Sequence, residues 1–116
     1  MVAWEVEVSD EFADWYGSLD EGESESVDTV VDMLVEYGPL LGRPYADTLQ
    51  GSRFPNMKEL RVQHQGRPIR ILFAFDPRRC AYLILGGDKK GDDNWYIDAI
   101  QRADAIYAKH LKEVGE

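Results

Sequence analysis

The chain has 116 residues, with 22 acidic against 13 basic side chains, a formal charge of −9, 44% hydrophobic and 11% aromatic residues. That length bounds it to one domain, residues 1–116, and its apolar content excludes wholesale disorder. No apolar run approaches the about 20 residues of a membrane-spanning helix, the start Met1-Val2-Ala3-Trp4-Glu5 lacks the basic and apolar regions of a signal peptide, and the lone Cys80 cannot close an internal disulfide. A cytoplasmic protein without a membrane partner is therefore the expectation.

In chain order, Trp4 to Val8 alternates apolar and acidic residues with the period of a half-buried strand. Ser9 then offers an N-cap before Asp10 and Glu11, where the helix dipole favours acids, and Phe12, Trp15, Tyr16 and Leu19 form one apolar helical stripe. After the polar run Asp20 to Ser26, read as a joint or solvated first turn, Val27, Val30, Val31, Leu34 and Tyr37 predict a second helix that Gly38-Pro39 stops. Residues 40–56, with Gly42, Pro44, Gly51 and Pro55, lack periodicity and read as a loop.

Met57 to Gln63, Ile69 to Phe75 and Cys80 to Leu85 read as strands, and the separators Gln65-Gly66-Arg67-Pro68 and Asp76-Pro77-Arg78-Arg79 carry the turn chemistry of consecutive hairpins. Tyr96, Ile100, Ala103, Tyr107 and Leu111 predict a last helix. The order β-α-α-β-β-β-α implies an α+β domain, a mainly antiparallel four-stranded sheet with helices packed on one face.

Charge is unevenly distributed. Residues 1–47 carry −12, whereas residues 53–90 carry +6. The acidic total opposes long-range attraction to a polyanion, yet the second segment can engage phosphate locally. Because side chains alternate along a strand, Arg61 and Arg70 fall on one face of two adjacent strands, opposite Leu60 and Val62, and that face is expected to be uncovered by helices. Two guanidinium groups there would make a phosphate clamp. The same parity fits a solvated sheet face with Glu59 paired to an arginine, and both readings stay open.

Gly86-Gly87-Asp88-Lys89-Lys90-Gly91 lacks the spacing of a nucleotide-binding P-loop. It would place one or both of the Lys89 and Lys90 ammonium groups near a substrate phosphate, or it is only the turn before the last helix. Trp95 and Tyr96 open that helix as base-stacking candidates, although aromatics at helical spacing are usually core. His64 reads as an exposed turn residue, His110 has no ligand at metal spacing, and Cys80 reads as a buried thiol. No metal and no cofactor are expected.

Three blocks in sequence, Asn56-Met57-Lys58-Glu59-Leu60-Arg61, Ile69-Arg70-Ile71-Leu72-Phe73-Ala74-Phe75-Asp76-Pro77 and Leu83-Ile84-Leu85-Gly86-Gly87-Asp88-Lys89-Lys90, resemble the HigB-like, phage-derived Gp49-like branch of the RelE/ParE toxin superfamily. The resemblance covers residues 54–96 closely and the N-terminal strand, two helices and Gly38 to Pro44 more loosely. It implies a RelE-like fold and the toxin of a type II toxin–antitoxin pair. The implied activity is a ribosome-dependent mRNA endoribonuclease that inhibits translation, with the substrate's 2'-hydroxyl attacking the adjacent phosphate without a metal.

On that resemblance Arg61, Arg70, Lys89 and Lys90 are the catalytic candidates. Lys58, Arg67, Trp95 and Tyr96 are the substrate-binding ones. The implied partners are a cognate antitoxin with a helix-turn-helix, the ribosome and mRNA, with DNA touched only through the antitoxin. A ParE-like DNA gyrase inhibitor and a non-enzymatic, antitoxin-binding remnant of the fold are the alternatives. The acidic N-terminal helices depart from the basic character common in this group.

Overall fold

The apolar periodicities become three helices and a five-stranded sheet in a computed structural model that describes residues 3–115; Met1 and Val2, the first residues of the stretch read for a leader, lie outside them. Strand β1 (Val6–Val8) is followed by α1 (Asp10–Gly17) and α2 (Glu21–Tyr37), a short 3₁₀ turn (Gly38–Leu40), β2 (Ala46–Thr48), β3 (Lys58–His64), β4 (Arg67–Phe75), β5 (Ala81–Asp88) and α3 (Trp95–Glu113). The spatial order is β1-β5-β4-β3-β2, with β1 parallel to β5 and every other pair antiparallel. Among the described residues no helix is long and apolar enough to cross a membrane.

The caps follow from local chemistry. Ser9 Oγ accepts the Phe12 amide, and Asp20 and Glu23 form a reciprocal capping box that starts α2 within the polar run. That run is therefore the N-cap and the solvated beginning of α2. Gly38, at φ 56°, ends α2 where a Cβ would lie 2.3 Å from the Trp4 indole, so only glycine fits.

The α+β class stands, with two corrections. The stretch read as a loop contributes a fifth strand, β2, whose three residues are too few to show a period and are held only by pairing with β3. The helices also lie on both faces. Phe12, Val27, Val30 and Leu34 of α1 and α2 pack on Leu60, Val62, Ile69, Ile71 and Phe73. Ala99, Ala103 and Tyr107 of α3 pack with Met57, Leu72, Ala74, Ile84 and Leu85 on the other side. Residues of opposite parity on β4 are thus buried by different helices, which is why that strand is apolar nearly throughout.

A bulge in β5 connects this layering to the functional face. Phe73 pairs with Leu83 but Leu72 with Leu85, leaving Ile84 as the extra residue, and the Ile84 carbonyl is taken by the Ser9 hydroxyl at 2.6 Å. Past the bulge, Gly86 opposes Ile71 and Gly87 opposes Arg70. A Cβ on Gly86 would lie 2.3 Å from the Trp15 ring, and one on Gly87 2.8 Å from Trp95. The paired glycines admit one indole on each face of the strand. Gly86→Ala should accordingly destabilise the fold by about 1–3 kcal/mol through overpacking, read as a lower urea midpoint with an unchanged slope.

Candidate functional site

Arg61 and Arg70 are direct cross-strand partners in the β3–β4 ladder. Like charges placed opposite one another on a sheet are destabilising unless something anionic lies between them. Here that group is Glu59, two residues before Arg61 and therefore on the same face. Its carboxylate is buried, with the residue only 4% exposed. Arg61 Nε donates to Glu59 Oε2 at 3.2 Å, Arg70 Nε stands 3.7 Å from Oε1, and the Tyr96 hydroxyl donates a short hydrogen bond to Oε1. Arg70 Nε also donates to the Tyr96 oxygen at 3.2 Å.

The first turn of α3 closes one side of this face, which corrects the expectation of a sheet surface free of helices. Trp95 lies over Gly87 and meets Tyr96 edge-on, with ring centroids 5.2 Å apart, so it supports Tyr96 from behind. Burial, followed by the hydrogen bond to the Glu59 carboxylate, pushes the Tyr96 hydroxyl up to about 12. At neutral pH it is a neutral donor. The result is a cleft of about 580 Å³ lined by Asp47, Glu59, Arg61, Arg70, Lys89, Asp93 and Tyr96, together with Leu49 and Ile100.

The rim is charge-balanced. Arg43 and Arg61 share Asp47, at 2.9 and 3.4 Å, and Lys89 Nζ donates to Asp93 at 2.8 Å while lying 5.7 Å from the centre of the Tyr96 ring. The hydrogen bond from Arg43 and the Thr48 amide hold Asp47 below the usual carboxylate range, and Lys89 does the same for Asp93. Both carboxylates on the rim reach solvent, Asp47 with 25% and Asp93 with 86% of its side chain exposed, whereas Glu59 is buried at the floor.

The structure thus brings together four of the predicted residues: Arg61, Arg70, Lys89 and Tyr96. Lys58, in phase with Leu60 and Val62 on β3, lies on the opposite face of the sheet. Arg67 is tied to Glu23 of α2 and to Asp88, also away from the cleft. Lys90 occupies a left-handed turn position at φ 53° with its amide on Asp88, and its side chain is exposed outside the lining of the cleft. His64 ends β3 half-buried against α2, its Nδ1 2.8 Å from Ser26 Oγ, so it is not an exposed turn residue. Cys80 is buried, and that burial pushes its thiol up, away from nucleophilic reactivity.

Sequence reasoning missed Asp47 and Asp93. Asp47 carries no local signal, because only the β2–β3 register delivers it. Asp93 lies in the turn before α3, four residues after Lys89 and three before Tyr96, and only the path of that turn brings its carboxylate to Lys89.

The family described as phage derived protein Gp49-like (DUF891) matches residues 14–108. The chain is 44% identical over 114 residues to the protein named "Putative toxin HigB2" of Mycobacterium tuberculosis (strain ATCC 25618 / H37Rv), across 97% of this chain and 56% of that one. It therefore spans about half the length of that relative. To "Putative toxin HigB3" of the same strain it is 50% identical over 91 residues, 78% of each chain.

Among solved structures, a free-state double arginine-to-alanine mutant of the E. coli toxin RelE superposes with a TM-score of 0.64 at 14% identity, over 87% of this chain and 98% of that one. The isolated E. coli RelE toxin in its P21 form gives 0.60 at 14% identity, over 86% and 98%. These two show the shared fold. The family match and the two HigB-named relatives place the chain in the phage-derived Gp49-like family, and the likeness to RelE shows the fold it shares.

Proposed function

We propose that this chain is the toxin of a type II toxin–antitoxin pair and cleaves mRNA on the translating ribosome. The observation that carries the reading is the directly opposed Arg61–Arg70 pair at the floor of an open cleft in an otherwise acidic protein. Two guanidinium groups held side by side are the arrangement that a phosphate oxygen pair would engage. In this reading the two guanidinium groups hold the phosphate and stabilise the charge that develops when the 2'-hydroxyl attacks it. Lys89 contributes a further positive charge at the rim, released from Asp93 when substrate enters.

A cognate antitoxin restrains the activity, and any DNA contact belongs to that partner. Primer extension on an mRNA under translation, with purified protein added, tests the reading. New 5' ends that depend on ribosomes are expected. Gyrase inhibition without RNA cleavage would transfer the chain to the ParE-like alternative, and neither activity with retained antitoxin binding would make it a binding remnant.

Free RNA should be cut far more slowly than ribosome-bound mRNA. A net charge of −9 gives no long-range steering toward a polyanion, so the ribosome must supply orientation. Equal rates on naked and ribosome-bound RNA at physiological salt would contradict this.

A further inference from the structure

Two features of the cleft floor are not explained by phosphate binding. A carboxylate is buried where an anion is to bind, and a tyrosine proton points at that carboxylate and not into the open cleft. We propose that Glu59 is a positioning residue for phosphodiester cleavage, holding both arginines and Tyr96 in a single arrangement. This inference rests on the ribonuclease reading above.

The argument is geometric. The Glu59 contacts of both arginines are made through Nε, the edge nearest the backbone: Arg61 donates at 3.2 Å, while Arg70 stands 3.7 Å away and donates to Tyr96. Farther out, Arg61 has only the longer contact to Asp47, 3.4 Å, and Arg70 uses one terminal nitrogen on the Ile69 carbonyl at 3.1 Å. The ends of the guanidinium groups are left to face substrate while their planes are fixed from behind. Tyr96, donating to Glu59 and accepting from Arg70, cannot spend its proton on a leaving oxygen without breaking its bond to Glu59. It is part of the frame that holds Arg70.

Such a carboxylate works against ground-state binding, because its negative charge lies beside the incoming phosphate. It favours catalysis only by orientation, for which a displacement of about 1 Å costs about 100-fold in rate. The two effects have opposite signs, and a merely structural residue would not separate them. Glu59→Gln keeps the shape but loses the charge, and its amide N–H atoms face donors where the carboxylate oxygen accepted.

The experiment measures RNA affinity, single-turnover cleavage on ribosomes and the ionisation of Tyr96 by NMR of ring-labelled tyrosine, in the wild type, Glu59→Gln and Glu59→Asp. For Glu59→Gln, RNA should bind several-fold more tightly while the cleavage rate falls about 100-fold. The Tyr96 pKa should move down from about 12 toward its ordinary value. Glu59→Asp restores the charge with a shorter reach, so affinity returns to that of the wild type while the rate stays low; it also serves if the glutamine variant does not fold.

Wild-type values for all three quantities in the folded variants would overturn the proposal. So would a parallel loss of affinity and rate with Tyr96 unchanged, the mark of a simple packing role. If the wild type itself cleaves no RNA, the ribonuclease reading falls, whereas the affinity and Tyr96 measurements still decide whether Glu59 anchors the pair.

Discussion

Arg70→Ala is expected to lower ribosome-dependent cleavage by about 100-fold or more, comparable to the loss of one preorganised charge-stabilising donor. Arg70 is the better shielded of the two arginines, with 12% of its side chain exposed against 35% for Arg61. Its field on a bound phosphate is therefore less diluted by water. Arg61→Ala should follow the same course with a smaller loss, because Arg61 divides its interactions between Glu59 and Asp47. Folding should survive both changes, since in each variant Glu59 keeps the other arginine and Tyr96 as partners. Single-turnover primer extension, with circular dichroism as the folding control, makes the comparison. Undiminished cleavage in both folded variants would remove the arginines from the reaction.

Asp76→Ala should produce the largest loss of stability, about 3–5 kcal/mol. Its side chain is fully buried at the β4–β5 turn and accepts from the Arg78 and Cys80 amides, from the Arg78 guanidinium at 2.6 Å and from His110 Nε2 at 2.8 Å. Arg78 reaches on to Glu7 of β1, and His110, stacked at 3.5 Å on Tyr82, lies near the end of α3. One carboxylate therefore ties β1, the hairpin and α3 together. Chains of this size have a total stability of about 5–15 kcal/mol, so the variant should unfold at much lower urea. A midpoint within error of the wild type would refute this.

The same carboxylate predicts an acid limb. Burial acts to raise the pKa of Asp76, but the hydrogen bonds from Arg78, His110 and the Cys80 amide outweigh it and leave the group below the usual carboxylate range. A depressed native pKa contributes stability that is present above the unfolded value and is lost as pH falls through the folded one. The stability advantage of the wild type over Asp76→Asn should hold near neutrality and disappear as pH is lowered below about 4. Urea titrations across that range measure it, and a constant difference down to about pH 2 would assign the effect to something other than this charge.

The sequence by itself determined the order of the main elements, because each is written in near-neighbour terms. Phe12, Trp15 and Tyr16 repeat at helical spacing, Ser9 and Gly38 mark ends, and β3 alternates Leu60 and Val62 with Arg61 and Gln63. Parity also placed Arg61 and Arg70 on one face. Tertiary structure decided the remainder. It put α3 on the face with the arginines, and formed β2 from a segment with no period of its own. It also separated Lys89, inside the cleft, from Lys90, outside it. The strand β2 depends on pairing with β3, and the placement of α3 over the arginines depends on the bulge at Ile84, beyond which the pairing of β5 is offset by one residue. Local propensity carries no information about where such a bulge falls. That register sets Gly87 beside Arg70 and leaves room for Trp95, and with it Tyr96, above the arginine pair.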